Sequence, residues 1–245
     1  MSDQASTLLV NTLEPQSGTT LTVGKSGQNL VVNADSLKAN VAKDAGGNAL
    51  FTSDGSGSIS GVNSAFGSAE VLLTTQTPSN SATIEFTSGI DSTYKEYIFR
   101  WSAINPATDD ADFGFQVNAS GETGYNEAIL STAFRAYNEM GGSSAALVYD
   151  TASDQYDGST GFQRLNRDGG NDVDQCSVGE MHLYNPASTT FVKNWWSISN
   201  VDTFHNYTGA YYIAGFFNIT VAITQVQFKM SSGNFDGTIK MYGIK

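Results

Sequence analysis

From residue 70 onward the chain is cut repeatedly by turn signals, and nothing between them sustains the period of an amphipathic helix. The signals are Ser88-Gly89, Asn105-Pro106, Gly141-Gly142, Gly169-Gly170 and Asn185-Pro186. Around them lie twelve β-prone runs, at 71–75, 82–87, 96–104, 112–118, 128–136, 145–150, 161–165, 177–185, 190–198, 210–217, 222–230 and 238–242. So many short strands without a helix predict an all-β fold, an antiparallel jelly-roll-like β-sandwich. No fixed-period repeat divides the chain into blades or coils.

The closing stretch 226–242 is the clearest local pattern. Val226, Phe228 and Met230 share one side of a strand, Ile239 and Met241 one side of the next, and Ser231 to Gly237 supply turn chemistry. This reads as a hairpin. A last strand of such quality is expected to be internal to a sheet, in an architecture whose first and last strands close on each other.

The first 68 residues have a different character. Short β-prone pieces at 20–23 and 29–32 are followed by a Gly/Ser run at 54–68, with only Phe51 and Phe66 as aromatics. Such a segment buries little by itself. The expected organisation is an extended N-terminal arm, residues 1–68, for anchoring or oligomerisation, followed by the sandwich, residues 69–245.

Charge narrows the partners. Twelve basic and 24 acidic residues give a net charge of −12, which repels phosphate backbones and anionic membranes. No nucleic acid is expected as a partner, and no apolar run is long enough for a membrane helix. Only 15% of residues are charged, well under the usual ~25%. One cysteine, Cys176, excludes an intrachain disulfide and a thiolate metal cluster. The N-terminus shows no signal-peptide pattern.

Catalytic candidates are few. The histidines are His182 and His205, and no nucleophile elbow accompanies them. Cys176 and His182 lie about 20 Å apart along one strand, too far to act together. Glu180 paired with Glu96 or Glu85 would suit glycosidase chemistry if a sheet brought them together, but no local pattern of those enzymes is present. The expectation is therefore no catalytic residue and no enzyme. No cofactor is expected. Calcium is the one ion to test, at the acidic loop that carries Asp168, Asp172 and Asp174, although the loop lacks the spacing of a helix–loop–helix calcium site. Trp195-Trp196, Tyr211-Tyr212 and Phe216-Phe217 are adjacent aromatic pairs, so in strands one of each points inward and its neighbour outward. Trp195, Trp196, Tyr211 and Tyr212 are the candidates for contact with carbohydrate or a partner.

Three stretches, "FTSGIDSTYKEYIFRW" (86–101), "MHLYNPASTTFVKN" (181–194) and "FKMSSGNFDGTIKMYGI" (228–244), resemble structural proteins of tailed phages, marine phages above all. The segment "GNALFTSDGSGSISGVNS" (47–64) is similar to connectors in phage fibre-like proteins. The resemblance covers most of the chain and carries no catalytic residue. It implies a non-enzymatic virion structural protein, either a surface appendage such as a host-binding tail fibre or a capsid decoration protein. It also implies a homotrimer that contacts other virion proteins through residues 1–68, with a host-surface glycan as a further partner. Assembly in the host cytoplasm would need no signal peptide. The alternative is a carbohydrate-binding module, alone or attached to a glycan-degrading activity.

Overall fold

The computed structural model describes residues 41–43, 48–56, 58–60, 62 and 69–245. The chain divides into two compact units, Met1–Phe66 and Gly67–Lys245. The β-prone pieces at 20–23 and 29–32 lie outside the described residues. In the first unit, β1 (Val41–Lys43), β2 (Ala49–Ser53) and β3 (Ile59–Ser60) form a small antiparallel sheet in that order. The Asp54 carboxylate accepts the backbone N–H groups of Ser56 and Ser58 and so turns β2 into β3.

The second unit is an antiparallel β-sandwich, and among the described residues there is no helix. Its strands are β4 (Glu70–Gln76), β5 (Thr83–Phe86), β6 (Glu96–Pro106), β7 (Ala111–Ala119), β8 (Ile129–Glu139), β9 (Ala145–Tyr149), β10 (Gln155–Ser159), β11 (Gln163–Gly169), β12 (Ser177–Tyr184), β13 (Lys193–Asp202), β14 (Tyr207–Phe217), β15 (Ile223–Met230) and β16 (Phe235–Ile244). Each of the twelve runs read from the sequence overlaps one of these strands, although several strands run further than the run that marked them. The thirteenth, β10, has no apolar alternation (Gln-Tyr-Asp-Gly-Ser) and pairs only along the edge of β8.

The two sheets are unequal. A large one runs β10-β8-β14-β13-β12-β6-β16-β4, with β9 also paired to β8, and a small one runs β11-β7-β15-β5. Between them lies an aromatic core. Phe113 stacks on Phe228 at 5.7 Å, Phe86 meets Phe99 edge-on at 5.2 Å, and Phe115 meets Trp195 at 5.0 Å. Burial of such rings is the largest favourable contribution to a fold of this kind.

The last strand is internal, as expected. β16 lies between β6 and β4, so the first and last strands of the sandwich pair antiparallel, Val71 opposite Gly243. The hairpin, however, is not one. β15 pairs with β5 and β7 in the small sheet, while β16 belongs to the large sheet. Both strands carry a fully apolar face, and each face is buried by standing in opposite layers, with residues 231–234 crossing between them. Phe235, read from the sequence as part of the turn, is fully buried at this corner and packs edge-on against Phe113 at 5.8 Å. Gly237 has φ +140, and a Cβ there would sit 2.8 Å from the Ala103 carbonyl oxygen. Only glycine fits this bulge in the β16–β6 register.

Candidate functional site

The central strand of the small sheet is covered on its outer side by the chain's own loops. Gln116, fully buried there, donates to the carbonyls of Glu127 (3.0 Å), Thr160 (3.2 Å) and Gly161 (3.1 Å). The outer face of the large sheet is laid out differently, and strand register shows how.

Directly opposed residues form rows across this face. One row runs Arg100, Glu180, Ile198, Tyr212, Phe134, Tyr149 through β6, β12, β13, β14, β8 and β9. The next runs Ile98, His182, Trp196, Ala214, Thr132 through the first five of those strands. Cross-strand neighbours at such positions touch. The β6–β12 end of the two rows is ionic, and the β13–β9 end is aromatic and aliphatic.

At the ionic end Arg100 makes two parallel bonds to Glu70, at 2.6 and 2.8 Å, and a third from Nε to Glu180 at 2.9 Å. Its guanidinium also lies over the Tyr242 ring, 5.2 Å from the centroid. The bonds from Arg100 hold the Glu70 carboxyl below its ordinary value. Burial works to raise Glu180, but hydrogen bonds from Arg100 and His182 outweigh it, and this carboxyl is lowered too. The same bonds to Glu70 and Glu180 raise the Arg100 pKa.

His182 joins the two ends. Nδ1 lies 2.5 Å from Glu96, Nε2 lies 3.3 Å from Glu180, and the ring stacks on Trp196 at 4.0 Å between centroids and 13° between planes. The sheet therefore does bring Glu180 and Glu96 together, around a buried imidazole rather than around an open space. Glu85 is elsewhere, on β5 of the small sheet, and accepts from Gln227 at 2.6 Å. Both nitrogens of His182 face carboxylates, so the arrangement fixes the ring as a platform beneath Trp196. Trp196 is held from a second direction by its Nε1–H, donated to the Tyr184 hydroxyl at 2.8 Å.

Beyond Trp196 the face is apolar. Tyr212 and Phe134 stack at 5.0 Å and 7°, and Tyr149 (55% exposed), Phe134 (45%), Ile198 (39%) and Tyr212 (38%) all remain open to solvent. Small residues at Ala214 and Thr132 leave a trough between larger neighbours. One lobe, of about 610 Å³, extends toward Leu130, Phe216, Asn194 and Tyr184. A smaller one, of about 200 Å³, extends toward Phe134, Tyr212 and Ile198. The outward positions of β8 (Leu130, Thr132, Phe134, Ala136, Asn138) and of β14 (Thr208, Ala210, Tyr212, Ala214, Phe216) include no charged residue.

Of the four aromatics proposed from the sequence as contacts, two face inward. Trp195 packs on Phe115 in the core and Tyr211 is fully buried. Strand alternation puts each on the covered side of its pair, so the contact reading passes to Trp196 and Tyr212. Phe134, Ile198 and Tyr149, which the sequence analysis did not single out, complete the patch. Register alone aligns them, and register is not visible in one strand's sequence. The acidic residues are not gathered for calcium. The Asp168 carboxylate lies 3.6 Å from Arg135 and 3.5 Å from Arg167, and Asp172 and Asp174 border a separate depression beside Asp202. Among the described residues no group of three or more His, Cys, Asp or Glu side chains is arranged to hold a metal ion. Cys176 precedes β12, and burial raises its thiol pKa.

Comparison of the chain with protein-family models, with curated proteins and with solved structures returned no significant match. The functional reading therefore rests on the residues and their arrangement.

Proposed function

We propose that the protein is a non-enzymatic virion structural protein of a tailed phage, a surface appendage of the tail-fibre type, which assembles with copies of itself through the outer face of the large sheet. One observation carries the assembly part. In a chain of net charge −12, the exposed aromatic patch on β8, β14 and β9 is free of charge at its outward positions. Copies with that net charge repel one another, and contact through an uncharged apolar patch is the least costly way to meet. Solvent-exposed aromatic patches of this kind on a folded domain mark surfaces that another macromolecule covers. The trough's free hydrogen-bonding groups are chiefly the Thr132 hydroxyl and the Asn194 amide, since the Tyr184 hydroxyl already accepts from Trp196 and the Ser131 hydroxyl is bonded to Gln163. This suits a protein surface better than a sugar chain. The virion part rests on the resemblance in 86–101, 181–194 and 228–244.

Two measurements test this reading. Quantitative mass spectrometry of purified particles should find the protein at a few to a few dozen copies. Hundreds would make it a decoration protein, and its absence would reject both. Light scattering of the full chain should show an oligomer, with three copies expected. Phe134→Ser combined with Tyr212→Ser should release monomers that still fold, at a cost of about 1–2 kcal/mol for the lost cross-strand stack. An oligomer unchanged by the double substitution would rule out this face as the interface.

A further inference from the structure

The inner face of the large sheet extends past the edge of the small one. Edge strand β11 packs over β13 and β14 and reaches β8 through Gln163 on Ser131 and Asp168 on Arg135, ending at Gly169. In this overhang the core gives way to a cleft of about 200 Å³ lined by Arg135, Tyr137, Asp168, His205 and Tyr207, with Tyr211 beneath. From this cleft we propose a second, separate site, one that binds a single neutral pyranose ring.

Size, shape and hydrogen-bonding pattern all point to that ligand. Tyr137 and Tyr207 meet edge-on, 5.6 Å between centroids at 78°, and the Arg135 guanidinium lies over Tyr137 at 5.3 Å, so Tyr207 is the ring offered to the C–H face of a sugar. Beside them Arg135 Nη1 lies 3.6 Å from Asp168 Oδ2 and donates to the Tyr211 hydroxyl at 3.1 Å. A donor fork next to an acceptor suits a pair of neighbouring hydroxyls, each of which both gives and takes a hydrogen bond. Gly209, opposite Tyr137, lets the Tyr211 ring lie flat against the strand and form the floor of the cleft. A Cβ there would come within 2.9 Å of the Tyr211 ring.

Charge decides between a neutral and an ionic ligand. Arg135 and Arg167 are balanced by Asp168 and Asp150, through contacts of 3.6, 3.5 and 3.2 Å. A charged ligand would add an uncompensated charge to a half-buried neutral group, whereas a polyol adds none. The position of the acid is also enforced. Asp168 adopts φ +60, its N–H is accepted by Asp112 at 3.1 Å, and its carbonyl accepts from Phe204 at 3.0 Å. Aspartate is among the residues that enter this left-handed region readily, and the two backbone bonds fix the direction of its side chain.

The test uses the full-length protein and a panel of methyl hexopyranosides, read by saturation-transfer NMR and by the Arg135 Nε–H resonance in a 15N spectrum. At least one glycoside should receive saturation and move the Arg135 resonance. Tyr207→Ala should weaken that binding about tenfold, the scale of one lost aromatic contact. Trp196→Ala, on the opposite face of the sheet, should leave it unchanged, so this site can fail or hold independently of the assembly face. The proposal is overturned if no glycoside in the panel receives saturation, or if binding survives Tyr207→Ala at full strength. If Tyr207→Ala does not fold, the wild-type Arg135 resonance decides alone, and an unmoved signal at saturating sugar overturns the proposal.

Discussion

The two ends of the large sheet's outer face are built from the same strands' alternation but finished in opposite ways. Toward β4 and β16, Glu70, Arg100, Glu180, His182 and Glu96 satisfy one another, and little is left to offer a partner. Toward β8 and β9, Phe134 and Tyr212 stack, Ile198 and Tyr149 stand opposite them in register, and all four still face solvent. Trp196 on His182 is the seam. An exposed sheet face is therefore not uniformly a binding surface. A polar network spends its hydrogen-bonding capacity internally, whereas an apolar patch lowers its free energy only when something covers it.

The most severe way to break this arrangement is to remove the strand that ties the ionic end together. Deleting 238–245 removes most of β16, and with it the strand that joins β4 to β6 and the buried Ile239 and Met241. Each of those side chains contributes about 1.5–3 kcal/mol, and the loss bares a central sheet edge. The truncated chain should be insoluble on expression. A soluble, cooperatively melting 1–237 fragment would show that the ionic end does not depend on its central strand.

Next in size is the contrast between the adjacent tryptophans. Trp195→Ala empties a fully packed core position and should cost about 3–5 kcal/mol in chemical denaturation. Trp196→Ala removes the seam, with its stack on His182 and its bond to Tyr184, and should cost about 1–2 kcal/mol. Equal losses would mean that the seam is as integral as the core and that the two ends form one unit.

The smallest effect concerns the ionic end alone. Arg100→Gln should cost about 1 kcal/mol at neutral pH, because its two partners are more than a third exposed and solvent weakens them. Its pH dependence sharpens the comparison. Glu70 and Glu180 both titrate below their ordinary 4.5 in the fold. The stability they add is therefore complete above 4.5 and is lost as pH falls through the lowered folded values. Thermal melts should show the gap between wild type and Arg100→Gln closing as pH drops below 4.5. A Phe134→Ser, Tyr212→Ser protein should show no such convergence. A gap that is constant across this range would remove the ionic end from the stability of the fold.

Much of this protein was legible in its sequence. Two-residue alternation in 177–184 put Met181 and Leu183 on the core side and Glu180, His182 and Tyr184 outside, because successive strand side chains must point to opposite faces. The same rule separated Trp195 from Trp196 and Tyr211 from Tyr212. Turn residues marked several strand ends, but Asn105-Pro106 lies within β6 and Phe235 to Gly237 within β16, while the apolar faces of 226–230 and 239–241 required burial.

What the sequence left open is which strand each apolar face would meet. Residues 226–242 have the local chemistry of a hairpin, yet β15 and β16 stand in opposite layers, because two apolar faces bury more surface across a core than side by side. Arg100 finds Glu70 and Glu180, 30 and 80 residues away, and Asp168 finds Arg135 rather than Asp172. The trough at Ala214 and the cleft above Gly209 likewise exist only where register and sheet size put small residues among large ones. Local alternation follows from the geometry of one strand and is written along the chain. Partner choice follows from the packing of the whole and was decided only in the tertiary structure.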